Sequence, residues 1–401
     1  MTKEFTNILS FAHEHRDDDP LKLLLQQSKY PHIDLRLVAQ QLEGQRQASV
    51  KWPTLARCEG YFFPPRLNRE QSSSEATARY KARLFASLGG GTLADLTGGM
   101  GIDTLFMAQH ASQADYYELD PGLCTIAEHN FSVLGQGNIR CHCADSLSVQ
   151  SPLHYADLLY IDPARRDSLG RKVFAFEDCT PNLLDNLDLL LSKCQNLLVK
   201  ASPMIDIRLA TQQLAHVNHI HIVSLHNECK EVIFLLPGKG REEAAQEPVI
   251  HCINLEGQSS DTSHDYSFTP SGEASALPHF AHEVETYLYE PNASLMKGGC
   301  YNSICQWFDL KKLSRNTHLY TSQRLIPDFP GRTFRIQRPL SLNPKEVHRA
   351  LPDGKAHVLT RNYPLPANDL QKKLKLHEGG THFIIAATLA TRPQGWLCEL
   401  L

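Results

Sequence analysis

A chain of 401 residues, 42% hydrophobic and 21% charged, has room for two or three domains around sizeable cores. Its formal net charge of −4 excludes a protein that is basic throughout, and no apolar run is long enough to cross a bilayer as a helix. Eleven scattered cysteines without a Cys-x-x-Cys pair, and no secretory leader, read as the reduced thiols of a cytoplasmic protein. The twenty histidines include no His-Glu-x-x-His, so no metal centre is expected.

Residues 1–75 carry helical periodicity (Leu21, Leu24, Leu25, Ile33, Leu37, Val38, Leu42) interrupted at Pro20 and Pro31. They read as a helical N-terminal domain. Residues 50–68, with Trp52, Pro53, Pro64 and Pro65, read as irregular chain. The segment 71–87 is a capped helix, with any of Ser72 to Ser74 as its cap and Glu75 near its positive end.

From residue 76 to 255 strands and helices alternate. A strand runs through Leu93 and Ala94 to Asp95, a turn holds Gly98, Gly99 and Gly101, and a helix follows through Ile102, Leu105 and Phe106. Further strands are expected over 115–119, 139–144, 155–161, 196–200, 219–224 and 231–236, with helices over 124–131, 184–194 and 207–216. That alternation predicts an α/β domain on a largely parallel, Rossmann-like seven-stranded sheet. The last two strands stand too close for a parallel crossover, so they should form an antiparallel hairpin. Residues 249–255 read as a further edge strand.

Residues 256–330 read as a linker and a small ferredoxin-like or PUA-like module, in which 279–300 opens with an amphipathic helix. Residues 331–401 read as a small α+β module with strands over 334–337, 357–361 and 381–389 and a basic helix over 367–376. Residues 331–380 hold ten Lys and Arg against four acids, an excess of six positive charges that suits a polyanion.

In an open parallel sheet ligands bind beyond the carboxyl ends of the strands. Four acids fall there: Asp95, Glu118, Asp145 and Asp162. A carboxylate such as Glu118, one helix and one strand after Gly101, matches the paired hydroxyls of a ribose. Asp145 can accept from an adenine amine, and Asp95 either faces a cationic group or shapes the loop. The glycines lack the spacing usual for a diphosphate, and Asp103 behind them disfavours an anion. A sulfonium nucleoside fits these acids better than a dinucleotide.

These residues resemble the class I S-adenosylmethionine-dependent methyltransferases. The matching pieces are Asp95-Leu-Thr-Gly-Gly-Met-Gly101, Tyr117-Glu-Leu-Asp-Pro121, Ala144-Asp-Ser146 and Ile161-Asp-Pro-Ala-Arg165. The longer pattern, including Ser73-Ser-Glu-Ala-Thr77, Lys81, Tyr289-Glu-Pro-Asn292 and Arg361-Asn-Tyr-Pro-Leu365, resembles bacterial RNA-methyltransferase-like proteins with a THUMP-like C-terminal domain. The resemblance implies S-adenosyl-L-methionine held by Thr77, Lys81, Asp95, Thr97, Gly99, Gly101, Glu118, Leu119, Asp145, Ser146 and Asp162. It implies catalysis at Asp162 and Pro163, with Arg165 nearby and Phe174 or Phe176 stacking on a base. The expected activity is direct methyl transfer to a base nitrogen in structured RNA, with RNA held by the basic C-terminal region. Asp-Pro-Ala-Arg lacks the second proline and the aromatic residue common in amino-directed enzymes. A non-catalytic RNA-binding protein on this fold, or a methyltransferase for a protein or small molecule, are the alternatives. Cys179 is the one nearby thiol for a covalent variant.

Overall fold

The computed structural model describes residues 3–148, 153–163, 176, 179, 181–241, 247–257 and 265–401. Among them no helix is long and apolar enough to cross a membrane. The chain forms two compact units, one built mainly from residues 1–220 and 230–246, the other mainly from residues 263–401.

In the first unit the N-terminal helices Lys3–Glu14, Pro20–Leu24 and Leu35–Lys51 close on Ile8, Leu23, Leu35, Val38, Leu42 and Phe62. Asp19 and Asp34 cap the second and third of these, each accepting backbone N–H groups at the helix start. The segment around Phe62 is bound in place by Asn130, whose side chain both accepts from the Phe62 N–H and donates to its carbonyl. The helix Glu75–Ser87 is capped by Ser74. Glu75 is buried and accepts from the Thr54 N–H and hydroxyl, so the residue meant for a helix end also anchors the preceding chain.

The strands that follow are β1 (Gly91–Asp95), β2 (Ala111–Glu118), β3 (Ile139–Cys143), β4 (Ala156–Ile161), β5 (Cys194–Ala201), β6 (His219–Leu225) and β7 (Glu228–Pro237). Their order is β3-β2-β1-β4-β5-β7-β6. The pairs β1–β2, β1–β4, β2–β3 and β4–β5 are parallel, and β7 is antiparallel to β5. The turn between β6 and β7 is two residues, His226 and Asn227, both at positive φ (51° and 61°), the mirror-image geometry that a tight hairpin favours. Leu158, Leu159, Ile161, Leu197, Leu198 and Val199 are fully buried, as a sheet covered on both faces requires.

The second unit contains β8 (Val249–Leu255), of which most belongs to it, paired antiparallel with β9 (Asp265–Phe268). Its larger sheet comprises β10 (His279–Phe280), β11 (Tyr287–Pro291), β12 (Lys311–Ser314), β13 (Thr317–Ser322), β14 (Gly331–Pro339), β15 (His357–Arg361), β16 (His382–Leu389) and β17 (Arg392–Leu400). The order is β10-β12-β13-β11-β14-β17-β16-β15. Alternation on β16 sends Ile385 and Ala387 to one core with Leu288, Phe334 and Trp396. Ile384 and Ala386 go to the other, under the helices Pro344–Ala350 and Ala367–Leu374.

The amphipathic helix expected at the start of 279–300 is absent. Tyr287–Pro291 is instead a central strand held between β13 and β14, and the backbone pairing on both sides overrides the local periodicity. The helix in this stretch comes later, at Ala293–Gly298, capped by Asn292. Within 256–278, read as linker, the structure places β9 and the helix Pro270–Ser275.

Candidate functional site

Asp95 ends β1 and is 1% exposed. One carboxylate oxygen accepts from the Thr97 N–H at 3.0 Å, the other from the Thr104 hydroxyl at 2.5 Å. The acid therefore pins both ends of the glycine loop. Burial pushes its carboxyl up to about 7, against the pull of those two hydrogen bonds. Gly98 has no room for a side chain, since a Cβ there would lie 2.1 Å from the Tyr116 ring. The Tyr116 hydroxyl donates to the Gly99 carbonyl at 2.7 Å, and Gly99 and Gly101 turn at φ 53° and 77°. Leu96 and Gly98 donate to the carbonyls of Tyr160 and Tyr117. The loop is thus clamped onto the ends of β4 and β2.

Glu118, at the end of β2, is half-buried. One of its oxygens accepts from the Gly99 N–H at 2.8 Å, and the other from the N–H groups of Leu119 and Asp120 at 2.8 and 2.9 Å. Leu119 beside it is 63% exposed, an apolar surface in a turn that is otherwise polar. Asp120 caps the next helix by accepting from Gly122 and Leu123. Asp145 is exposed and closes its own turn on the Leu147 N–H at 2.9 Å. The Ser146 hydroxyl, buried, donates to the Leu96 carbonyl.

Behind the loop lies a chain of buried charges. The Lys81 ammonium, fully buried, contacts both oxygens of Glu231 at 2.7 and 2.8 Å, Asp103 at 3.2 Å and the Ser73 hydroxyl at 3.2 Å. Asp103 accepts from Ser73 at 2.8 Å and from the Tyr160 hydroxyl at 2.6 Å, and lies 4.0 Å from the Lys200 ammonium. Lys200 in turn donates to Asp162, whose N–H donates to the Thr97 hydroxyl at 2.7 Å. Burial works to raise the Asp103 carboxyl, but the Lys81 and Lys200 ammoniums and two hydrogen bonds hold it below its ordinary value. Burial of Glu231 outweighs the same two ammoniums and raises it. Burial works to lower Lys200, yet Asp162, Asp103 and Glu231 lift it above its ordinary value. Lys200 therefore stays an ammonium.

The structure brings Asp95, Thr97, Gly99, Gly101, Glu118 and Asp162 to the carboxyl ends of neighbouring strands, with Pro163 directly after Asp162. It seats Thr77 and Lys81 inside instead: Thr77 is 2% exposed and donates to the Ser74 carbonyl, and Lys81 faces acids of the chain itself. Phe176 is 2% exposed with its ring against Phe234, so it offers no free face for stacking. Arg165 and Phe174 lie outside the described residues, and Cys179 is partly buried. Lys200, Glu231 and Tyr160 escaped the sequence reading as residues around the site. For Lys200 and Glu231 the signal was an ion bordering an apolar run within a strand: Leu197-Leu-Val-Lys200 and Glu231-Val-Ile-Phe234.

A β3-β2-β1-β4-β5-β7-β6 sheet with β7 reversed, a glycine loop after β1 and an acid ending β2 define the class I S-adenosylmethionine-dependent methyltransferase fold. A candidate methyltransferase from Porphyromonas gingivalis W83, known from a crystal structure, is 31% identical to this chain. The match covers 99% of this chain and 98% of that one, with a TM-score of 0.86. The chain belongs to the family of that protein. Its C-terminal region matches two domain families, a ferredoxin-like domain over residues 287–330 and a THUMP domain-like module over 331–400. A candidate class I S-adenosylmethionine-dependent methyltransferase from Listeria monocytogenes is 12% identical, over 68% of this chain and 97% of that one (TM-score 0.41). A candidate RNA methyltransferase from Pyrococcus horikoshii is 16% identical, over 48% and 98% (TM-score 0.36). No curated protein matches the chain.

Proposed function

We propose that this protein methylates RNA with S-adenosylmethionine bound beyond β1 and β2 and the acceptor at Asp162–Pro163. The observation that carries the reading is Glu118, half-buried at a strand end with its carboxylate seated on the Gly99 N–H. Each of its oxygens has two lone pairs, so the one bonded to Gly99 keeps capacity for a ribose hydroxyl. Exposed Leu119 suits the face of an adenine. When bound, the cofactor supplies an electrophilic methyl group on a sulfonium.

Glu118 would hold the sugar, Leu119 and Asp145 the base, and the Thr97 and Gly99 segment the backbone side of the ligand. Asp95 shapes the loop and does not face the ligand, because it is 1% exposed with its oxygens turned to Thr97 and Thr104. Asp162 is the acid of the set that faces the acceptor. RNA as substrate draws on the basic residues of 331–401, proposed as the RNA-gripping module. Residues 1–75 and 76–255 serve as helical support and catalytic domain.

Calorimetry with S-adenosylhomocysteine tests the cofactor. Wild-type protein should bind at micromolar levels, and Glu118→Ala should lose at least about tenfold in affinity, or ~1.4 kcal/mol. Absence of binding at high micromolar concentration would leave an RNA-binding protein on an idle fold. Transfer of labelled methyl to protein extracts and not to RNA would point to the other substrate class.

A further inference from the structure

Asp162 does not stand alone at the acceptor position. Glu231, Lys81, Asp103, Lys200 and Asp162 form one line of alternating charge, with side chains 2%, 0%, 10%, 6% and 27% exposed. Its members come from β7, the helix before β1, the helix after the glycine loop, β5 and the end of β4. Only the Asp162 end reaches solvent, and next to it sits an ammonium. Of the three N–H donors on Lys200, Asp162 takes one.

That ammonium decides between acceptor atoms. Methylating a neutral amine builds positive charge on nitrogen in the transition state, which a neighbouring cation opposes. Methylating a hydroxyl that is losing its proton builds negative charge on oxygen, which the same cation stabilises. Among the functional groups of RNA, the hydroxyl carried by every nucleotide is the ribose 2′-OH.

We propose that the acceptor is the 2′-hydroxyl of an RNA nucleotide, with Lys200 stabilising the oxygen and Asp162 taking its proton. The inference rests on the methyl-transfer reading above and replaces the base nitrogen by a ribose oxygen. The hydroxyl oxygen bonds to the methyl carbon of the sulfonium donor. The methyl–sulfur bond breaks with its pair left on sulfur, and the hydroxyl proton passes to the Asp162 carboxylate and on to water. Three carboxylates against two ammoniums leave the line one negative charge in excess, ready to receive that proton. Asp103 and Glu231 act as positioning residues that help hold Lys200 charged, and Lys81 holds those two acids in place.

The test incubates the full chain with methyl-labelled S-adenosylmethionine and total RNA from a strain lacking the gene, then digests the RNA with alkali and with nuclease. Label in alkali-resistant dinucleotides and 2′-O-methylnucleosides supports the proposal. Label on a base overturns it and leaves the methyltransferase reading standing. No label in RNA, with S-adenosylhomocysteine bound by calorimetry, overturns the RNA substrate and this inference together; no binding overturns the whole reading. Lys200→Met should cut the rate by about 10²-fold or more while S-adenosylhomocysteine affinity stays within threefold. Lys200→Arg, which keeps the charge and guards against a folding defect, should restore part of the rate. Equal rates for wild type and Lys200→Met would overturn the role of Lys200.

Discussion

Asp95 is held in a place that penalises its charge. Burial raises its carboxyl from 3.8 to about 7 in the folded chain. A raised folded pKa means the native state holds the proton more tightly than the unfolded chain. The stability from this group is therefore full below pH 3.8 and is lost as pH rises through about 7. Asp95→Asn, which keeps an acceptor toward Thr97, should flatten the fall in melting temperature between those pH values. A calorimetric series with an unchanged slope would show that another group sets it. Lys81 gives the complementary case. Its removal leaves Glu231 and Asp103 buried without their ammonium, and Lys81→Met should cost about 3–5 kcal/mol in urea unfolding. Lys81→Met combined with Glu231→Gln should recover part of that loss, because the stranded charge is gone.

At the scale of elements, the glycine loop is set by the aromatic residues of β2 more than by glycine flexibility in itself. Tyr116 occupies the space a Gly98 side chain would need and bonds the Gly99 carbonyl. Gly98→Ala should therefore destabilise the protein by about 1–3 kcal/mol and weaken S-adenosylhomocysteine binding, both visible in a ligand-dependent melting shift. A variant with wild-type melting and binding would mean that the loop tolerates a shift of the Tyr116 ring. The capped helix before β1 shows another use of one segment. Ser74 caps it, Ser73 reaches Asp103 and Lys81, and Glu75 turns back to Thr54. Three adjacent residues thus face three different partners, which is why the capping motif alone understated the segment.

For the molecule as a whole, the basic excess of 331–380 divides into two kinds of residue. Arg332 and Arg361 both pair with Glu290, 2% exposed, so the two motifs around Glu290 and Arg361 meet in a structural ion cluster. Arg335, Arg338, Lys345, Arg349, Lys355, Lys372, Lys373 and Lys375 are exposed. If these grip phosphates, Lys372→Glu with Lys373→Glu and Lys375→Glu should weaken RNA retention across unrelated sequences. The slope of log affinity against log salt should become shallower by roughly one for each phosphate deprived of its lysine. Retention and slope equal to wild type would move the RNA surface elsewhere.

Periodicity and spacing were enough for the alternation of strand and helix, the reversed hairpin at residues 219–237, the glycine loop and the acids at strand ends. Each of these is local: a run of apolar residues, a turn residue, an acid one helix and one strand downstream. The central strand at Tyr287–Pro291 was not local, since its conformation depends on partners at 317–322 and 331–339. Nor was the line of charges. Lys81 and Glu231 are 150 residues apart, and nothing nearby in sequence distinguishes a lysine that faces a ligand from one enclosed among acids. Burial and pairing are properties of the folded interior, and they alone showed that Lys81 is enclosed between Glu231 and Asp103 while Lys200 is paired with the more exposed Asp162.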